Sequence, residues 1–180
     1  KDTNPIQFVS GGDSGVGEHP RASNRLAAVQ APQFVVLGGD LAYENGEDPD
    51  RFLEFLENYS NDLRDEQQRL IPLLACIGNH EVAGKYGQSH SQGTFFYSVF
   101  DGLFPETGYA ALDFGQYMSL IFLDSDHTSP IGGAQTDWLA KVLKEREEIP
   151  NVFAVNHVPA YPSHRAFHGF GGEPGTGEEQ

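Results

Sequence analysis

Four short apolar runs in this chain each lead, within a few residues, into a side chain able to bind a cation. This repeated arrangement constrains the fold more than any other feature. The clearest case is Phe34 to Glu44, FVVLGGDLAYE: four apolar residues suited to a buried strand, two glycines that let the backbone turn, then Asp40 and Tyr43. IQFVSGGD places Asp13 after a run from Ile6 to Val9, LLACIGNHE places Asn79 and His80 after a run ending at Ile77, and VFAVNH places His157 after Val152 to Val155. In open α/β sheets, the crevice beyond the carboxyl ends of the strands is where ligands bind. The pattern therefore predicts an α/β fold with one polar site at its strand ends.

The remaining elements fit this reading. A first strand is expected over Ile6 to Ser10, followed by a glycine-rich loop and a helix from about Pro20 to Gln30 with Leu26 and Val29 facing inward. In EDPDRFLEFLENYSNDL, Asp48 suits an N-cap and Pro49 the first helical turn, while Phe52, Phe55, Leu56, Tyr59 and Leu63 share one face. Leu70 to Ile77 reads as a strand, Val82 to Gly93 as a long surface loop, and YAALDFGQYMSLIFLD as two antiparallel strands about a turn at Gly115. GGAQTDWLAKVLKEREE predicts a helix burying Trp138, Leu139, Val142 and Leu143 and halting at Pro150, before a last strand over Val152 to Val155. No repeat or linker divides residues 1 to 180, which are read as a single domain.

Charge narrows the partners. Eleven basic residues stand against 26 acidic ones, a formal charge of −15, which disfavours nucleic acid and anionic membranes as bulk partners. An acidic chain can still act on a phosphate where metal ions invert the local charge. No apolar run approaches membrane-span length, no signal peptide is recognisable, and the lone Cys76 lies in an apolar run.

Taken singly, Asp13, Asp40, Asn79 and His157 have ordinary readings as turn, cap or core residues. Four together, each just past an apolar run, point to a metal site. Carboxylate and amide oxygens, an imidazole and a phenol form a mixed hard and borderline ligand set. A phenol with an ordinary pKa of about 10 needs a strongly acidic metal to ionise it near neutral pH, which makes ferric iron the natural candidate at Tyr43. A carboxylate such as Asp40 can bridge two ions, leaving Asn79 and His157 for a divalent partner, and two ions roughly 3.5–4 Å apart suit displacement at a phosphate ester.

The segments GDSG at 12 to 15, GGDLAY at 38 to 43, GNHE at 78 to 81 and VNHVPAY at 155 to 161 resemble four of the five signature blocks of the calcineurin-like metallophosphoesterases. Many relatives end the first block in a metal-binding histidine. Gly15 stands there in this chain and, with Tyr43, resembles the purple acid phosphatase branch. The resemblance implies a layered fold with mixed β-sheets flanked by helices. It also implies that Asp13 and Tyr43 bind Fe(III), that Asp40 bridges, and that Asn79 and His157 bind a divalent ion (Fe, Zn or Mn). His80 would lie beside the phosphate as stabiliser or proton donor. The implied activity is hydrolysis of a small phosphate monoester by metal-bound hydroxide, the runner-up being a phosphodiesterase or nucleotide hydrolase on the same core. An extracytoplasmic location is implied as well.

The family's fifth block, a Gly-His-x-His that gives a histidine to each ion, is missing from the 23 residues after His157. The expectation is a fold incomplete at its C-terminus, whose exposed edges favour homo-oligomers, with an inactive fragment or binding module as the rival reading. In SHRAFH, His164 and His168 stand four apart; they are read as pocket residues, with His164 the better acid or phosphate contact, the alternative being a simple exposed loop. Asp124, Asp126 and His127 match no block and are read as turn and surface groups. Two further readings fail on the sequence itself. GDSG lacks the preceding histidine of a trypsin-like protease, and GGDSGVG lacks both GxGxxG in register and a Walker lysine.

Overall fold

The computed structural model describes residues 5–159. Its first sheet is wholly parallel, in the order β1 (Phe8–Gly11), β2 (Phe34–Leu37), β3 (Leu73–Ala75), with Val9 opposite Val35 and Val35 opposite Leu73. Phe34, Val35 and Val36 are all buried, as a central parallel strand covered on both faces requires. The second sheet pairs β4 (Ala110–Phe114) antiparallel with β5 (Met118–Phe122), and β5 parallel with β6 (Asn151–Val155). Gly115 turns the β4–β5 hairpin at φ +59°.

Aromatic rings join the two sheets. Phe34 stacks on Phe8 at 5.2 Å and on Phe114 at 4.9 Å, and Phe8 meets Phe153 edge-on at 5.6 Å. Around the sheets pack α1 (Glu18–Val29), α2 (Pro49–Asp62), α3 (Thr94–Phe100) and α4 (Ala134–Glu145). The N-cap of α2 forms as the sequence predicts: Asp48 Oδ1 accepts the N–H groups of Asp50 and Arg51, and Phe52, Phe55 and Tyr59 are buried.

Several expectations need correction. Leu26 is 69% and Val29 79% exposed, because α1 turns Pro20, Asn24, Ala27 and Ala28 inward instead. This phase lets Arg21 grip Asp62 of α2 through two hydrogen bonds of 2.9 and 3.2 Å. Leu143 is 46% exposed, since the inward face of α4 runs through Gln135 and Val142, and α4 ends at Glu145 rather than Pro150. The strand expected over Leu70 to Ile77 shortens to β3, as Ile71 N–H is drawn to the Leu63 carbonyl and Pro72 has no N–H. The helix α3 was not anticipated; its TFFYSVF is too short and too aromatic to show a helical period, and burial of Phe96, Tyr97 and Phe100 holds it. Among the described residues no helix is long and apolar enough to cross a membrane.

Candidate metal centre

The site begins where β1 and β2 end. Their pairing outlasts the strands: Gly38 N–H donates to Gly11, Asp13 N–H to Gly39, Ser14 N–H to Asp40 and Gly15 N–H to Leu41, at 2.7 to 3.1 Å. Asp13 and Asp40 adopt the same left-handed conformation, φ +50° and +53°, so the two loops place their carboxylates together. Glycine is required where a third loop closes in. Gly39 lies at φ +86°, and a Cβ on it would stand 2.8 Å from Gly78 N and 3.0 Å from His157 Nδ1.

His157 follows β6, so one ligand position comes from the second sheet rather than from a single open sheet. Its Nδ1 lies 2.7 Å from the Gly38 carbonyl, which only accepts, so Nδ1 carries a proton. Its Nε2 faces Asn79 Oδ1 at 3.0 Å and Asp40 Oδ2 at 3.3 Å. Burial opposes charge on His157, yet the hydrogen bond and charge of Asp40 push it up to about 9. Burial likewise opposes charge on Asp40, but His157 and the His80 N–H, which donates to Asp40 Oδ1 at 3.0 Å, hold its carboxyl below the usual range.

Tyr43 donates its hydroxyl to Asp13 Oδ1 at 3.3 Å. Burial, then the charges of Asp13 and Asp40, drive its phenol well above the ordinary range. The ring of Tyr43 lies against Gly15, where a Cβ would come within 3.8 Å of it and where φ is +74°. A side chain at position 15 would thus be strained by its backbone conformation, with its Cβ in ordinary contact with the phenol ring.

The ligand atoms of Asp13, Asp40 and His157 all lie within 4.8 Å of one another. With Tyr43 hydrogen-bonded to Asp13 and Asn79 to His157, the five residues expected as ligands converge. Two carboxylates, a phenol and an amide oxygen around a tautomer-fixed imidazole suit one hard and one borderline cation. His80 stands beside them, its ring 4.7 Å from that of Tyr43 and its Nδ1 2.8 Å from Asn45 Oδ1. His164 and His168 lie outside the described residues.

Two residues, Asn45 and Glu81, escape the sequence reading, and two others, Asp124 and His127, depart from it. Asn45 orients His80, although nothing in its local sequence sets it apart. Glu81, inside GNHE, is buried and accepts N–H groups from Asp40 (2.9 Å), Leu41 (2.8 Å) and Gly78 (2.8 Å). Burial, then the Asp40 charge, pushes it up to about 7 against the pull of those N–H groups. Asp124 and His127 are not surface groups: they are 2% and 0% exposed. Asp124 collects the backbone N–H groups of His127, Thr128 and Ser129, and His127 stacks on Tyr86 at 5.1 Å and approaches the His157 ring at 5.5 Å. Among the described residues no well-formed hydrogen bond reaches either buried ring nitrogen of His127, and burial, then the charge of His157, pushes the ring down to about 4 against a weaker pull from the Lys85 backbone. Asp126 is half-buried, its carbonyl taking Gly87 N–H at 2.7 Å.

The sequence profile of the calcineurin-like phosphoesterases matches residues 10–178. The chain belongs to that family. Solved structures agree on the fold of this phosphoesterase. A dimetal phosphatase from Danio rerio superposes with a TM-score of 0.62 at 13% identity, over 88% of this chain and 72% of that one. A purple acid phosphatase from yellow lupin (Lupinus luteus) seeds gives 0.52 at 15% identity, over 82% of this chain but only 29% of the lupin protein. No curated protein sequence matches the chain. Family membership implies a dinuclear metal centre and a phosphoester substrate.

Proposed function

We propose that this phosphoesterase hydrolyses phosphate monoesters at a dinuclear metal centre, in which Asp13 and Tyr43 would hold Fe(III), Asn79 and His157 would hold Fe, Zn or Mn as the divalent ion, and Asp40 would serve both. The observation that carries the reading is the convergence of Asp13, Asp40 and His157 ligand atoms within 4.8 Å, from the ends of two separate sheets. Such ions, when bound, neutralise phosphate charge and lower the pKa of water.

The chain supplies the rest. The Gly38 carbonyl keeps the proton on His157 Nδ1, so its Nε2 is the coordinating atom. The phenol of Tyr43, with an ordinary pKa of about 10, favours the more acidic ion, because such an ion displaces its proton. His80, oriented through Nδ1 by Asn45, is placed to give a proton to the departing alkoxide oxygen. The purple acid phosphatase branch is supported by the pairing of Gly15, whose φ of +74° favours glycine, with Tyr43, whose ring lies beside it. The extracytoplasmic location rests on the same reading.

The test combines elemental analysis with turnover of a phosphate monoester and a diester. Two ions per chain including iron, with the monoester preferred, is the expected result. A chain that takes up no metal overturns the reading, and preference for the diester replaces it with the phosphodiesterase.

A further inference from the structure

Loops from four strand ends must meet for the metal residues to converge, and between the β2 and β3 loops the backbone leaves no room for side-chain packing. A Cβ on Gly39 would strike the backbone of Gly78, and one on Gly78 would strike Asp40. At that junction the N–H groups of Asp40, Leu41 and Gly78 have one side chain to turn to. Glu81 Oε2 takes Asp40 N–H at 2.9 Å and Gly78 N–H at 2.8 Å, and Oε1 takes Leu41 N–H at 2.8 Å. The first two donors belong to different loops, one carrying Asp40 and the other Asn79. A single oxygen therefore ties the backbone of one metal residue to the glycine preceding the other.

We infer that Glu81 is a positioning residue of the metal centre, a clasp whose carboxylate sets the separation of Asp40 and Asn79 and so the affinity for both ions. The inference rests on the metal centre described under the proposed function. Two further contacts make the clasp directional. Asp40 also accepts His80 N–H at 3.0 Å, so the two loops are bonded reciprocally, carboxylate to backbone in each direction. Glu81 itself sits one residue beyond His80 in the 3-10 turn Asn79–Glu81, so releasing it frees the turn that presents Asn79. In Glu81→Gln an amide N–H₂ replaces one of the two acceptor oxygens and points a donor at a donor, while the volume is unchanged.

The experiment compares wild type, Glu81→Gln and Asp124→Asn in the full chain, reading zinc affinity by competition with a chromophoric chelator and thermal unfolding in the metal-free state. Asp124 is the matched control: it too is a buried carboxylate serving several backbone N–H groups, but those belong to His127, Thr128 and Ser129. Expected is a loss of zinc affinity of about tenfold to a hundredfold in Glu81→Gln, the range for removing an outer partner of a ligand. Asp124→Asn should melt earlier yet bind zinc as wild type does. Equal zinc affinity in wild type and Glu81→Gln overturns the inference, as does an equal loss in both variants. If Glu81→Gln does not fold, Glu81→Asp, one methylene short of the junction, is read against the same two outcomes. A wild type that binds no zinc is a different result: it removes the metal centre, and with it the proposed function.

Discussion

Asn45 and His80 show how much chemistry depends on one amide. Asn45 Oδ1 accepts from the Nδ1 of His80 at 2.8 Å, and Asn45 is held in the left-handed region at φ +56° while its carbonyl takes Ala83 N–H at 2.8 Å. Asn tolerates that conformation better than most residues. Asn45→Ala should lower kcat by about tenfold or more, since a positioned acid contributes roughly 10²–10⁴ when fully lost. Metal content should stay at the wild-type value; its loss would mean that Asn45 supports the ligands instead. At Tyr43, replacement by phenylalanine should reduce iron retained under oxidising dialysis while zinc is still held, which elemental analysis reads directly. Unchanged iron would remove Tyr43 from the ligand set.

At the level of elements, the decisive contact is between loops rather than between helices. The β1 and β2 loops extend their strand pairing through four hydrogen bonds, and the β3 loop closes on them at Gly39. Gly39→Ala forces a Cβ into a backbone at φ +86° and within 3.0 Å of Gly78 N and His157 Nδ1. Strain of this kind costs about 1–3 kcal/mol, so a lower Tm together with lost metal binding is expected. A variant that melts early but loads metal normally would show that the loops can shift without moving the ligands. The helices respond to different pressures. Asp62, beneath α1, has its carboxyl held low, chiefly by its hydrogen bond to Arg21 and despite burial. A depressed pKa adds stability that is present above the ordinary carboxylate range and disappears as pH falls through the folded-state value. Wild type should therefore melt above Asp62→Asn at pH 7, with the gap closing as the pH falls below the ordinary carboxylate range. A gap that stays constant with pH would assign the difference to packing.

The whole molecule carries a formal charge of −15, and its proposed substrate is an anion. Long-range repulsion slows such encounters and is screened over a Debye length of about 10 Å at 0.1 M salt. Moderate salt should then lower KM for a phosphate ester with little effect on kcat, whereas a KM that rises with salt would locate a positive field at the site mouth. At the opposite edge, β6 leaves Val152 and Phe153 exposed beside its pairing with β5, the surface on which the expected homo-oligomer would form. Light scattering at rising concentration checks that expectation, and a monomer throughout would end it.

What the chain states locally was readable. Asp13, Asp40, Tyr43 and Asn79 lie a few residues past apolar runs, with glycines that permit the turns, so the repeated pattern grouped them as candidate ligands and the family resemblance assigned their roles; the α2 cap and apolar face were legible from their local sequence. Long-range packing supplied what was not. Nothing near Leu26 reveals that α1 rotates to give Arg21 its grip on Asp62, and nothing near His127 reveals that the loop at Tyr86 to Gln88 will cover it. Glu81 was visible in GNHE but mute, because its partners Asp40 and Leu41 lie 41 and 40 residues away. Sequence specifies which groups each strand end offers. Only the closing of two sheets and three glycine-lined loops specifies the distances between them, and metal chemistry depends on those distances.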